Sequence, residues 1–143
     1  QIIPNVRRLM ECARREGILV LSSADAHPPD DPSFEQWPPH CVEGTEEAAV
    51  IPELSGYEGE VIYKRRYSAF FETDLEQRMA ELKPEKIVIC GVCTDICVLH
   101  TAADARNRDY RVEVPTDCVA TFDPEAHSAA LKYMDKILGA RLV

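Results

Sequence analysis

Three cysteines fall within eight residues, at Cys90, Cys93 and Cys97, and one acid and two imidazoles fall within sixteen, at Asp25, His27 and His40. The thiols are spaced C-x2-C and then C-x3-C. Four chemistries use such a set: a shared metal, a redox pair, inert core thiols, or one nucleophile among bystanders. A structural zinc site usually takes four ligands, and iron–sulfur cysteines usually occupy a flexible loop. The first cysteine of a redox pair should open a helix. Cys90 instead sits within the apolar run KIVICGV, which reads as a strand. The reading that remains strongest is a single nucleophile, Cys97. With Thr94 as helix cap, Cys97 falls in the first turn, where free N–H groups and the helix dipole favour a thiolate and can hold an oxyanion beside it.

The second constellation is D-x-H followed, twelve loop residues later, by His40. Residues two apart in extended chain point the same way, so Asp25 and His27 can converge, and the loop 28–39 is long enough to return His40 to them. Two imidazoles and a carboxylate form an open metal site for one divalent ion, zinc by default, with iron or manganese fitting the same donors. Asp30 or Asp31 is a candidate further ligand, and so is Cys41. Taken alone, D-x-H plus a distant histidine more readily describes polar loop residues satisfied by backbone.

Elements must place these groups. Pro4 and Gly17 bracket a helix over residues 2–16, with Val6, Leu9, Met10 and Ala13 on one face. Ile18–Ala24 reads as a buried parallel strand, followed by a long Pro-rich loop to about Glu47 of the kind that usually serves function. Further strands are expected at Glu60–Lys64, in KIVICGV and at Arg111–Val114, with a last one in ARLV. Helices are expected from Thr73 or Asp74 to Leu82, from Thr94 to about Arg108, and from Asp123-Pro124 to Leu138. Alternating strands and helices predict an α/β fold, a three-layer α/β/α sandwich around a mainly parallel sheet.

At 143 residues the chain is read as a single domain, 1–143. Its 16 basic and 25 acidic residues leave a net charge of −9, which argues against a nucleic-acid partner. There is no apolar run of ~18 residues to cross a membrane and no basic-then-apolar leader. A chain with its own core does not need disulfides, so a reducing, cytoplasmic setting is expected, with Cys12 and Cys118 as core thiols.

The stretches DAHPPDDPSF…WPPHCVEGT, YKRRYSAFFETDL and GVCTDICVLHTAADA together resemble the isochorismatase-like cysteine hydrolases, and within them the nicotinamidases. The resemblance runs from Ile18 to the C-terminus. It implies that Cys97 is the nucleophile and Lys64 a member of the catalytic triad. It implies a cis Val92–Cys93 bond that turns the Cys93 N–H, with that of Cys97, toward the oxyanion. Asp25, His27 and His40 match the metal ligands, and Trp37 and Tyr67 match aromatic positions of the ring pocket. The triad's acid belongs to a first strand expected ahead of Gln1, central in the sheet, so this chain is expected to lack that strand.

The implied activity is hydrolysis of nicotinamide to nicotinate and ammonia. The alternatives are an amidohydrolase of another small carbamoyl or ureido compound and an inactive binding or assembly subunit. Family members are often oligomeric, so a homo-oligomer is expected. Away from the motifs, His100 reads as a helix-surface residue or one supporting the site from behind, His127 as a helix-surface residue and Arg65-Arg66 as a solvated turn.

Overall fold

The computed structural model describes residues 1–143. Helix α1 (Ile3–Arg15) begins at the proline and ends in Arg14 and Arg15, whose charge complements the carbonyl end. Strand β1 (Leu21–Asp25) pairs in parallel with β2 (Glu60–Lys64), in register from Leu21↔Glu60 to Asp25↔Lys64. Helix α2 (Leu75–Leu82) follows, its first N–H met by the hydroxyl of Thr73, which accepts from Leu75 N at 3.2 Å.

The run KIVICGV is not one strand. It splits into β3 (Lys86–Val88) and β4 (Gly91–Val92). Gly91 has φ of +118°, a conformation that side-chain-bearing residues avoid, and there the chain changes partner. Strand β3 pairs in parallel with β5 (Arg111–Val114), whereas β4 pairs in parallel with β6 (Val119–Ala120), a strand the sequence pattern does not announce. Strand β7 (Arg141–Leu142) adds to β5, also in parallel. Strand β1 makes its ladder to β2 alone, and β3 to β5 alone.

The expected helix from Thr94 also divides. Residues Thr94–Val98 form a π-helical turn and only then does α3 (Leu99–Asn107) begin. The N–H of Val98 reaches the Cys93 carbonyl at 3.1 Å, five residues back. Such single π turns concentrate at functional positions. Helix α4 (Pro124–Lys136) is capped by Asp123, whose carboxylate accepts from Glu125 N at 2.8 Å.

Adjacent residues of the extended chain entering β1 and linking β3 to β4 feed two separate cores. Leu21 and Ile89 pack against a cluster that includes Ile62, Val98, Ala102, Val112, Val114 and Met134, together with Leu75 and Met79 of α2. Their neighbours Val20 and Cys90 pack instead against Val6 and Met10 of α1 and against Cys118. Since consecutive strand residues face opposite ways, the two clusters lie on opposite faces of the strands, with α2, α3 and α4 on one side and α1 on the other. That is the predicted three-layer α/β/α order. Cys118 is 3% exposed, as expected of a core thiol, but Cys12 is exposed on the outer side of α1, since only Val6 and Met10 of that helix are buried.

Candidate active site

The strands β1 and β2 end together, and their last ladder pair is Asp25 and Lys64. This places an acid and an amine side by side at the carboxyl ends of two parallel strands, the usual position of sites in α/β folds. Lys64 is 5% exposed. Its ammonium donates to Asp25 Oδ1 at 2.5 Å, to the Arg66 carbonyl at 2.8 Å and to Cys97 Sγ at 3.4 Å. Three acceptors match the three hydrogens of the ammonium. One buried cation therefore ties the thiol to the acid of the D-x-H motif.

Cys97 lies in the π turn, not in a regular first helical turn, and Thr94 does not cap it. Thr94 is fully buried and its Oγ1 meets His127 Nδ1 at 2.9 Å. His127, expected on the helix surface, is half-buried because α4 packs over this turn. The bond Val92–Cys93 is cis, as the resemblance implies, and the Cys93 N–H points at the Cys97 sulfur. The thiol of Cys97 is not poised low as a helix start alone would have it. Burial pushes it above the ordinary cysteine value, the Lys64 ammonium pulls it down in part, and Asp25 pushes it up again.

Asp25, His27 and His40 are brought together, with one donor atom of each within 4.8 Å of the other two. The loop 28–39 closes on an isolated parallel bridge between His27 and Val42, in which His27 N donates to Cys41 O and Glu43 N donates to His27 O, both at 2.9 Å. That bridge returns His40 to His27, with ring centroids 4.8 Å apart. Each residue has one polar atom engaged and another left over. His40 Nδ1 meets the Pro38 carbonyl at 2.8 Å, His27 Nδ1 meets Asp31 at 3.3 Å, and Asp25 gives Oδ1 to Lys64. His27 Nε2 is buried with no hydrogen-bond partner. An orphaned imidazole nitrogen beside a second imidazole and a carboxylate fits a divalent metal.

The candidate further ligands do not join this group. Asp30 is exposed and Cys41 stands outside the cluster, its thiol pushed up by burial and by Asp25. Asp31 is turned to the far nitrogen of His27 and to Arg66, which donates to Asp31 Oδ1 at 2.9 Å and Oδ2 at 3.0 Å. Burial would push the Asp31 carboxyl up, yet Arg66, the Ser33 N–H and His27 hold it well below the usual carboxylate range. Arg66 is thus no solvated turn residue, unlike Arg65, whose partner is the exposed Glu72. A buried acid six residues past the strand end and an arginine two residues past Lys64 carry no spacing signal that would have paired them.

Trp37 Nε1 donates to Tyr67 Oη at 3.0 Å, and the Tyr67 ring lies 5.2 Å from the imidazole of His100. The three rings form one partly exposed row, in which His100 is exposed on α3 and stands beside Tyr67.

An isochorismatase domain model matches residues 1–142. An isochorismatase family protein of Bacillus subtilis, PncA, is 39% identical over 137 residues, which cover 88% of this chain and 75% of that protein. The crystal structure of nicotinamidase PncA from Bacillus subtilis matches with a TM-score of 0.93 at 34% identity, over 100% of this chain and 84% of that one. The pyrazinamidase of Pyrococcus horikoshii in complex with zinc gives 0.92 at 32%, over 99% and 84%. The N-carbamoylsarcosine amidase of Thermoplasma acidophilum gives 0.90 at 34%, over 99% and 81%. With the parallel α/β architecture and a family match across nearly its whole length, the chain belongs to the isochorismatase family of hydrolases.

Proposed function

We propose that this hydrolase is a cysteine amidase that converts nicotinamide and water to nicotinate and ammonia. The observation that carries the reading is the Lys64 ammonium, held at once against Asp25 and the Cys97 sulfur. It links the nucleophile to one member of the candidate metal cluster.

Cys97 Sγ attacks the carboxamide carbon, forming the C–S bond of a tetrahedral adduct. The N–H groups of Cys93 and Cys97 receive the oxyanion. The C–N bond then breaks and the nitrogen departs as ammonia, carrying the proton that the thiol gave up. Water hydrolyses the remaining thioester, which releases the acid and restores the thiol. Lys64 keeps a positive charge beside the sulfur and lowers the energy of its charged form against the opposing effect of burial. Asp25, His27 and His40 would hold zinc, which supplies a Lewis-acid contact that orients the pyridine nitrogen. Trp37 and Tyr67 flank the ring. The zinc-complexed pyrazinamidase supports this choice of metal for a donor set that would also accept iron or manganese.

A small ureido amide is a second reading, favoured by the N-carbamoylsarcosine amidase likeness and by a Tyr67 that is 37% exposed, so that the aromatic wall is not closed. The partner in either case is a small-molecule amide. A reducing, cytoplasmic setting is proposed on six free thiols, and a homo-oligomer on exposed apolar residues such as Val92 and Phe122. Ammonia release measured on nicotinamide and on N-carbamoyl amino acids, with and without chelator, tests the proposal. Cys97→Ala should abolish release while leaving zinc uptake intact, and normal turnover by that variant would refute the assignment.

A further inference from the structure

Asp31 has a side chain with no solvent exposure, and every contact it makes is to a donor. Its Oδ1 accepts from the Ser33 N–H at 2.8 Å and from Arg66 Nη1 at 2.9 Å. Its Oδ2 lies 3.0 Å from the same Arg66 nitrogen and 3.3 Å from His27 Nδ1. A carboxylate paired with a guanidinium only accepts, so the proton between Asp31 and His27 belongs to Nδ1. A neutral imidazole has one proton, which leaves Nε2 as a bare lone pair. Nε2 is also the buried atom without a partner, and His27 is grouped with Asp25 and His40. The opposite tautomer would set the Nδ1 lone pair against Oδ2 and leave an N–H buried and unanswered.

We propose that Asp31, clamped by Arg66, is a positioning residue that fixes His27 as the Nδ1–H tautomer and turns its Nε2 lone pair toward the metal cluster. The inference deepens the metal-site reading given above and rests on it for the identity of the ion. Arg66 has a double part, because its guanidinium neutralises Asp31 while its backbone carbonyl accepts from the Lys64 ammonium at 2.8 Å. One residue thereby couples the orientation of a metal-site imidazole to that of the amine beside the nucleophile. Partners of metal-bound histidines act in this way, and losing one typically weakens metal binding 10- to 100-fold.

Two readouts test the proposal. Ring 15N chemical shifts of His27, recorded on the metal-free wild-type chain well above the ordinary histidine range, report the tautomer directly and need no variant. The Nδ1–H form is expected, with a shift toward Nε2–H in Asp31→Asn. Zinc affinity by competition with a chromogenic chelator should fall about 10- to 100-fold in Asp31→Asn and be largely kept in Arg66→Lys, which retains the charge. Circular dichroism of each metal-free variant separates lost folding from lost positioning. An Nε2–H tautomer in wild type overturns the proposal whatever the metal does. So does a folded Asp31→Asn chain that binds zinc within about twofold of wild type. Wild type that shows Nδ1–H yet takes up no zinc supports the tautomer and overturns the metal reading alone.

Discussion

Replacing Lys64 by Met removes the cation while keeping most of the buried stem. A unit charge 3.4 Å from the sulfur contributes about 5 kcal/mol to thiolate stability at an effective dielectric of about 20, and about 1 kcal/mol in water. Without that cation the Cys97 thiol should titrate at higher pH. The sign is fixed by what remains, since burial and Asp25 both push the thiol up. The assay is the rate of iodoacetamide alkylation at the Cys97 peptide against pH, followed by mass spectrometry so that the other five thiols do not interfere. The alkylation midpoint should move to higher pH, and ammonia release at neutral pH should fall in step with the lost thiolate. The same change strips a partner from the Arg66 carbonyl and from Asp25, whose side chain is 28% exposed, so a stability loss of about 3 kcal/mol is expected by urea denaturation. A midpoint that stays put or moves down would show that Lys64 does not act on the sulfur, and the coupling inferred here would fail.

Gly59 has φ of +62°, and a Cβ there would stand 2.0 Å from the Val20 carbonyl oxygen. Gly59→Ala should therefore lose at least about 2 kcal/mol, read as a lower urea midpoint, whereas tolerance would mean that the segment entering β2 sits elsewhere. Cys118 is pushed up to about 12, first by burial and then by Asp117, from a reference of 9.0. A raised folded value contributes stability that is complete below the unfolded value and fades as pH climbs toward the folded one. Thermal stability should thus decline between pH 9.0 and about 12, and decline less in Cys118→Ala; equal slopes would refute the assignment to this thiol.

The elements most legible in the sequence were those with local signals. Strand β2 has the bounds its β-branched run suggests, α1 begins at its proline, and α4 starts from an Asp-Pro cap. The candidate site residues were named more from the family resemblance than from residue type, since D-x-H with a distant histidine is a weak signal and Lys64 alone reads as a strand-end charge. Their mutual arrangement was not legible. That Lys64 lies beside Asp25 follows from strand register, and register depends on which apolar residues find the core. Cys97 in a π turn, the change of partner at Gly91 and the His127–Thr94 contact each depend on packing between segments far apart in the chain. Arg66 looked like part of a solvated turn and Asp31 like a candidate further metal ligand, because each is polar and sits in a loop. Only the fold shows that the partly exposed Arg66 neutralises a fully buried Asp31.

The pairing of β1 with β2 makes the reactive geometry hostage to hydrophobicity. If β2 slid by a single position along β1, Ile62 would swing from the interior to the outside, and Lys64 would face Ala24 or Ala26 in place of Asp25. Selection that preserves a greasy isoleucine in mid-strand therefore also preserves an amine–acid alignment two residues away. Drift in one cannot proceed without exposing the other, so the interior serves as the site's alignment gauge.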